Sequence, residues 1–203
     1  LLPMVDGSLL VGTRNGVMAR AADGSVSTFA PIPNGTNYGN LALAVDGRIL
    51  MASASNHTIY SIPAAGGTAS VYVSGGLLNG PTGMSHDAAG NLVVANYYGQ
   101  SLVRIRPDKT AEIIVRWTNG NPRTVVRQGD AWLLGTTTGV YRYTSGWQGE
   151  RLSFNQSDAV ELRLNIWQSA VCACIGWASV PMFRYSQIST SPNGTAKSVR
   201  CML

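Results

Sequence analysis

A fourfold recurrence at a spacing of about forty residues constrains this chain more than any other feature. The first residue of the main apolar run in each unit falls at Leu9 (LLVGT), Ile49 (ILMAS), Leu92 (LVVAN) and Trp132 (WLLGT), in steps of 40, 43 and 40 residues. A small-residue turn precedes each run: Asp6-Gly7, Asp46-Gly47, Ala89-Gly90 and Gly129-Asp130. Units of this size cannot bury their own apolar faces, so each must stack on a neighbour.

Inside each unit the punctuation is that of short strands. A second apolar run follows the first at 17–20, 59–62, 102–105 and 140–143, and a third follows a further turn at 24–29, 67–72, 109–114 and 149–154. A fourth lies ahead of the main run, as at 41–45 and 83–86. The 23 Gly and 9 Pro punctuate the chain densely, many of them in turns between these runs, where a chain must reverse direction. Four strands per forty-residue period predicts an all-β chain, a β-propeller of four-stranded blades.

The four clear repeats occupy residues 1–154. Residues 155–203 lack the Asp-Gly turn but carry a strand-like alternation, with Val160, Leu162, Leu164 and Ile166 spaced by more polar residues. Adding forty to Trp132 lands on Cys172, inside an apolar run. A divergent fifth blade in the same domain is the favoured reading there, and an unrelated C-terminal tail is the alternative. Residues 1–6 are too short for a complete further unit, so closure of the ring is an open question. A truncated propeller that associates through open blade edges is a further reading.

A hydrophobic content of 45% is ample for a core, and no apolar run reaches the length of a membrane span. The chain starts at Leu1-Leu2-Pro3 without the pattern of a secretion signal. This reads as a processed or excised end and leaves the compartment open, a secreted or periplasmic one being favoured. Four Asn-x-Ser/Thr sequences occur, at Asn34, Asn56, Asn155 and Asn193; about half of them are expected by chance in such a composition, and they indicate no compartment.

Charge is uneven along the chain. Residues 1–100 hold three Arg against four Asp, whereas residues 101–203 hold twelve Lys or Arg against six Asp or Glu. Arg104, Arg106, Arg116, Arg123 and Arg127 surround Trp117, which raises nucleic-acid binding. They alternate with apolar residues as outward strand positions do, so a solvated surface is expected instead. Cys172, Cys174 and Cys201 have no His nearby to complete a metal site and read as buried thiols. His86 takes an apolar strand position, and His57 reads as a solvated turn residue. No nucleophile elbow, phosphate loop or paired Cys-x-x-Cys appears.

The segment 80–112, GPTGMSHDAAGNLVVANYYGQSLVRIRPDKTAE, resembles the blades of NHL-type and SMP-30/gluconolactonase-like six-bladed propellers, which read Pro-x-Gly-Leu-Ala-x-Asp, a Gly-Asn turn and an apolar strand. The resemblance spans 6–154. It implies a central funnel where, in the lactonases, Glu, Asn and Asp at the starts of inner strands hold a divalent cation such as Ca²⁺. Here Pro81 is followed by Thr82 where those enzymes carry Asp, Pro122 is followed by Arg123, and no Glu precedes Glu112.

The expectation is therefore a binding or scaffold module with its contact surface at the funnel mouth, where Asn40, Asn79, Thr82, Asn121 and Arg123 begin successive inner strands. Its partner would be a small molecule, a glycan or a protein. No catalytic residue, metal ligand or cofactor is assigned. The alternative is a divalent-metal-dependent lactonase or lyase.

Overall fold

The computed structural model describes residues 1–32, 40–118 and 120–152. The expected fifth blade, the three cysteines and the sequences at Asn34, Asn155 and Asn193 lie outside the described residues. Sixteen strands, grouped by fours into separate antiparallel sheets, make up the regular structure of the described chain.

Sheet I runs β1 (Leu2–Pro3), β2 (Leu9–Thr13), β3 (Gly16–Arg20) and β4 (Val26–Pro31), and sheet II runs β5 (Leu41–Leu43), β6 (Ile49–Ser53), β7 (Thr58–Ile62) and β8 (Ser70–Ser74). Sheet III is β9 (Pro81–His86), β10 (Leu92–Asn96), β11 (Ser101–Ile105) and β12 (Ala111–Arg116), and sheet IV is β13 (Pro122–Gln128), β14 (Ala131–Thr136), β15 (Gly139–Tyr143) and β16 (Gly149–Leu152). In every sheet the strands lie in chain order, each paired to the next, which is the arrangement that short reversing turns produce. The four main apolar runs are the second strands. The opening strand β1 is an element that the repeat reading did not mark, whereas β13 opens at the inner-strand start expected around Asn121 and Arg123.

The core is divided into layers because successive residues of a strand face opposite ways. Between sheets I and II, Leu10 and Val17 meet Leu41, Ile49, Met51 and Ile62. On the other face of sheet II, Leu50, Ala52 and Ile59 meet Met84, Leu92, Val94 and Val103 of sheet III. Sheet III then turns Val93, Ala95 and Leu102 towards Val125, Trp132, Leu134 and Tyr143 of sheet IV. Hence β6 and β10 are buried at every position, whereas β2 is fully buried only at Leu10. The face of sheet I turned away from sheet II carries Leu9, Val11 and Met18, which are only half-buried.

One turn design recurs six times among the described residues, beginning at Met4, Ala21, Ala44, Asp87, Arg106 and Thr144. The backbone N–H of the first residue donates to the carbonyl of the fifth, and that of the fourth donates back to the first. The fourth residue has positive φ, and at four of the six turns it is Gly: Gly7, Gly24, Gly47 and Gly90. Where the third residue is Asp, its carboxylate accepts the N–H of the fifth, as Asp6 does from Ser8 at 2.9 Å and Asp23 from Ser25 at 2.8 Å. This is the chemistry behind the recurring Asp-Gly pairs. All six turns lie at the same end of the sheets.

Candidate functional site

At the opposite end lie the starts of β5, β9 and β13 together with the turns that join the second and third strands. The second strands end on Thr13, Ser53, Asn96 and Thr136, a polar residue in each repeat. Thr13 and Thr136 close their own turns, their hydroxyls donating to the carbonyls of Gly16 and Gly139 at 3.0 and 2.9 Å. Asn96, almost fully buried, accepts the Asn79 N–H on Oδ1 at 2.7 Å and donates from Nδ2 to the Leu77 carbonyl at 2.7 Å. The Ser53 hydroxyl is buried without a hydrogen-bond partner among the described residues.

Neighbouring sheets are tied here by polar contacts. His57, at φ 51° in the β6–β7 turn, accepts the Gly80 N–H on Nδ1 at 2.9 Å. One sheet further on, Asn121 donates from Nδ2 to the Tyr97 carbonyl at 3.0 Å, and its own N–H donates to the Thr137 hydroxyl at 2.9 Å. The exposed Arg123 places its guanidinium carbon 5.0 Å from the centre of the Tyr97 ring and reaches the Tyr97 hydroxyl at 3.5 Å. Tyr97 stands edge-on to Tyr98 at 5.2 Å, and Tyr98, 53% exposed, stands edge-on to His57 at 6.5 Å. The result is a continuous row of His57, Tyr98, Tyr97 and Arg123 across three sheets.

The five residues expected at the mouth all lie at this end. Asn121 and Arg123 come together around Tyr97, and Thr82 lies beside Pro122 between them. The Thr82 hydroxyl lies 3.1 Å from the Ala95 carbonyl and 3.4 Å from that of Pro122, bridging β9 to β13. Asn79 is exposed one step away beside Asn96. Asn40 stands apart at the start of β5, its Oδ1 accepting the N–H of Leu41 at 3.1 Å and its carbonyl that of Ala52. The Gly of Pro81-Thr82-Gly83 has a packing cause: a Cβ there would lie 2.5 Å from Thr124 Cα, because the inner strands converge. His57, Asn96, Tyr97 and Tyr98 are additions to the expected set.

Charge separates by end. Asp6, Asp23, Asp46 and Asp108 sit in the recurrent turns, and Asp87 and Asp130 in the turns leading into β10 and β14. Glu112 and Glu150 lie one residue into their strands at the same end. These are all the described carboxylate side chains, and none is at the mouth. Seven described cations accompany them, among them Arg104 and Arg106, which share Glu112 at 2.6 Å each. The mouth end holds Arg14, Arg116, Arg123 and Arg151. The cluster around Trp117 is thus split between the two ends, with its Arg104–Arg106 half engaged in ion pairs.

The carboxyls of Asp6, Asp23, Asp46 and Asp108 titrate below the ordinary range, chiefly because each accepts hydrogen bonds from the residue two positions on, from its side chain first and its backbone second. His86, half-buried in β9, is shifted down because burial disfavours the imidazolium, although Asp87 and Asp46 pull the other way. It lies at the end away from the mouth.

No family model matches the chain, and no curated protein matches it in sequence. Solved structures do. A catalytically inactive histidine-to-alanine variant of virginiamycin B lyase from Staphylococcus aureus, determined with quinupristin, superimposes with a TM-score of 0.63 at 16% identity over 76% of this chain. The described sheets are blades of a β-propeller. A protein described as a gluconolactonase gives a TM-score of 0.59 at 16% identity over 73% of the chain, and the calcium-binding protein regucalcin from Agrobacterium tumefaciens gives 0.58 at 15% over 74%. The propeller expectation from the repeat is met, and the resemblance read from 80–112 leads to the same group of structures. The chain matches 55% of the lyase, 61% of the gluconolactonase and 57% of regucalcin, little more than half of each. Among the described residues, no helix is long and apolar enough to cross a membrane.

Proposed function

We propose that this chain is a binding module whose ligand surface is the blade end formed by Asn40, Asn79, Thr82, Asn121 and Arg123, extended by His57, Tyr97 and Tyr98. The observation that carries the reading is the chemistry of that end: carboxamides, hydroxyls, two tyrosine rings and arginine, fixed by bonds between loops of adjacent blades. Such groups recognise polar ligands through directed hydrogen bonds and ring contacts. The loops are held before any ligand arrives, which lowers the ordering cost of binding. Alanine at the five strand-start positions, taken together, is expected to weaken binding of the protein's ligand at least about tenfold, each lost hydrogen bond contributing about 1 kcal/mol. Unchanged affinity by calorimetry would place the ligand elsewhere.

A metal-dependent lactonase or lyase is the second reading, favoured by the names of the lyase and the gluconolactonase among the matching structures. A hard divalent cation takes several oxygen ligands, carboxylates foremost. The described mouth does not fit one: its donors are neutral amides and hydroxyls with arginine beside them, and no cluster of three His, Cys, Asp or Glu side chains occurs among the described residues. Stoichiometric calcium or zinc in the purified protein, with chelator-sensitive lactone hydrolysis, would establish this second reading over the first.

A further inference from the structure

The separation of charge between the two blade ends goes beyond a generic polar mouth. We infer that the mouth takes an acidic saccharide, a sugar chain carrying carboxylate groups, with Arg123 as the residue that engages the acid. This rests on the assignment of the mouth as the ligand surface.

Three observations converge on that class. First, Arg116, Arg123 and Arg151 of the mouth end pair with no described carboxylate, whereas the cations of the other end lie among eight described ones. An anion approaching these three arginines meets no competing carboxylate among the described residues. Second, Arg123 is exposed and braced against Tyr97 by ring contact and the 3.5 Å approach to its hydroxyl. A guanidinium has five N–H donors in a planar fork, so this bracing leaves donors for a carboxylate while restricting the side chain. Third, Tyr98 offers a half-exposed ring beside Tyr97, with the Asn79 and Asn121 carboxamides within the same two blade junctions. A ring face flanked by amides suits the C–H face and hydroxyls of a pyranose, and a bare inorganic anion uses neither. A nucleic acid needs a continuous phosphate-tracking groove. The remaining mouth cations instead stand apart, Arg116 and Arg151 on outer strands and Arg14 in the β2–β3 turn.

The test is titration of the whole chain with an oligogalacturonate, the neutral oligosaccharide of the same linkage, inorganic sulfate and a single-stranded oligonucleotide, at 20 and 200 mM salt. The oligogalacturonate is expected to bind best, to weaken with salt, and to lose at least about tenfold in affinity in R123Q. R20Q, at the other end, is expected to bind as the parent does. Circular dichroism and melting check that R123Q, a change at an exposed side chain, keeps the fold. Equal binding of the neutral sugar, equal binding of sulfate alone, tighter binding of the oligonucleotide, absence of any binding, or an unaffected R123Q would each overturn the inference. The two levels separate through N121A. A neutral sugar that depends on Asn121 but not Arg123 leaves the mouth standing and removes the acid, whereas oligogalacturonate binding indifferent to both variants removes the mouth itself.

Discussion

At the scale of single residues, the turns at the end away from the mouth make acid sensitivity a predictable property. Asp6, Asp23, Asp46 and Asp108 have folded-state pKa values below the ordinary carboxylate value because they accept hydrogen bonds within their turns. A depressed carboxyl contributes stability that is present above its unfolded pKa of about 4 and is lost as pH falls through the folded value. His86 is also depressed, but it is a base, so its neutral form is the one the fold prefers. Its contribution is complete above about pH 6.5 and declines as pH falls below that. Melting temperature is therefore expected to fall in two stages on acidification. H86Q should remove the first stage, and combined Asp→Asn changes at the four turns should reduce the second. A single acid transition unaltered by either set would show that these groups do not govern it. The effect per turn is small, since exposed carboxylates are well screened.

At the scale of strands and turns, burial ranks the positions. Leu50 in β6 is fully buried between sheets II and III, and its change to Ala is expected to cost about 2–5 kcal/mol in denaturant unfolding. Val11 in β2, half-buried on the face of sheet I that no described sheet covers, is expected to cost under about 1 kcal/mol on its change to Ala. Equal costs would mean that the face of sheet I is covered in solution. This scale is also where the sequence is most legible. The second strands start at or within one residue of their markers, because apolar runs bounded by Asp-Gly turns leave little freedom of register. The start of β13 is legible at Asn121-Pro122, but its extent is not, since PRTVVRQ mixes Pro and two Arg into an inner strand. The bonds of the mouth were harder still. His57 to Gly80 and Asn121 to Tyr97 join positions 23 and 24 residues apart across blades, and no local pattern encodes such a pair. The polar last letter of LLVGT, ILMAS, LVVAN and WLLGT was the available clue to Asn96.

At the scale of the whole molecule, the repeat has a consequence that its individual blades do not. Sheets II and III are sandwiched, and their second strands are buried throughout. Among the described residues sheet I has a neighbour on one face only; Leu9, Val11 and Met18 on the other face are half-buried and Val26 is 62% exposed on β4. A propeller sheet is apolar on both faces because both are meant to be covered, and an uncovered one is an adhesive surface. The chain spans little more than half of the structures it matches, and further blades would be the natural cover. In the chain as given, the same apolar face is expected to drive self-association. Sedimentation velocity should show concentration-dependent growth in mass, and V11E combined with M18K should shift the population towards the monomer without lowering the melting temperature. The substitutions fall on the free face, so Leu10 and Val17, which pack against sheet II, are left intact. If the double variant associates as strongly as the parent, the contact lies on another surface, and the uncovered face of sheet I is not what limits this chain as an independent molecule.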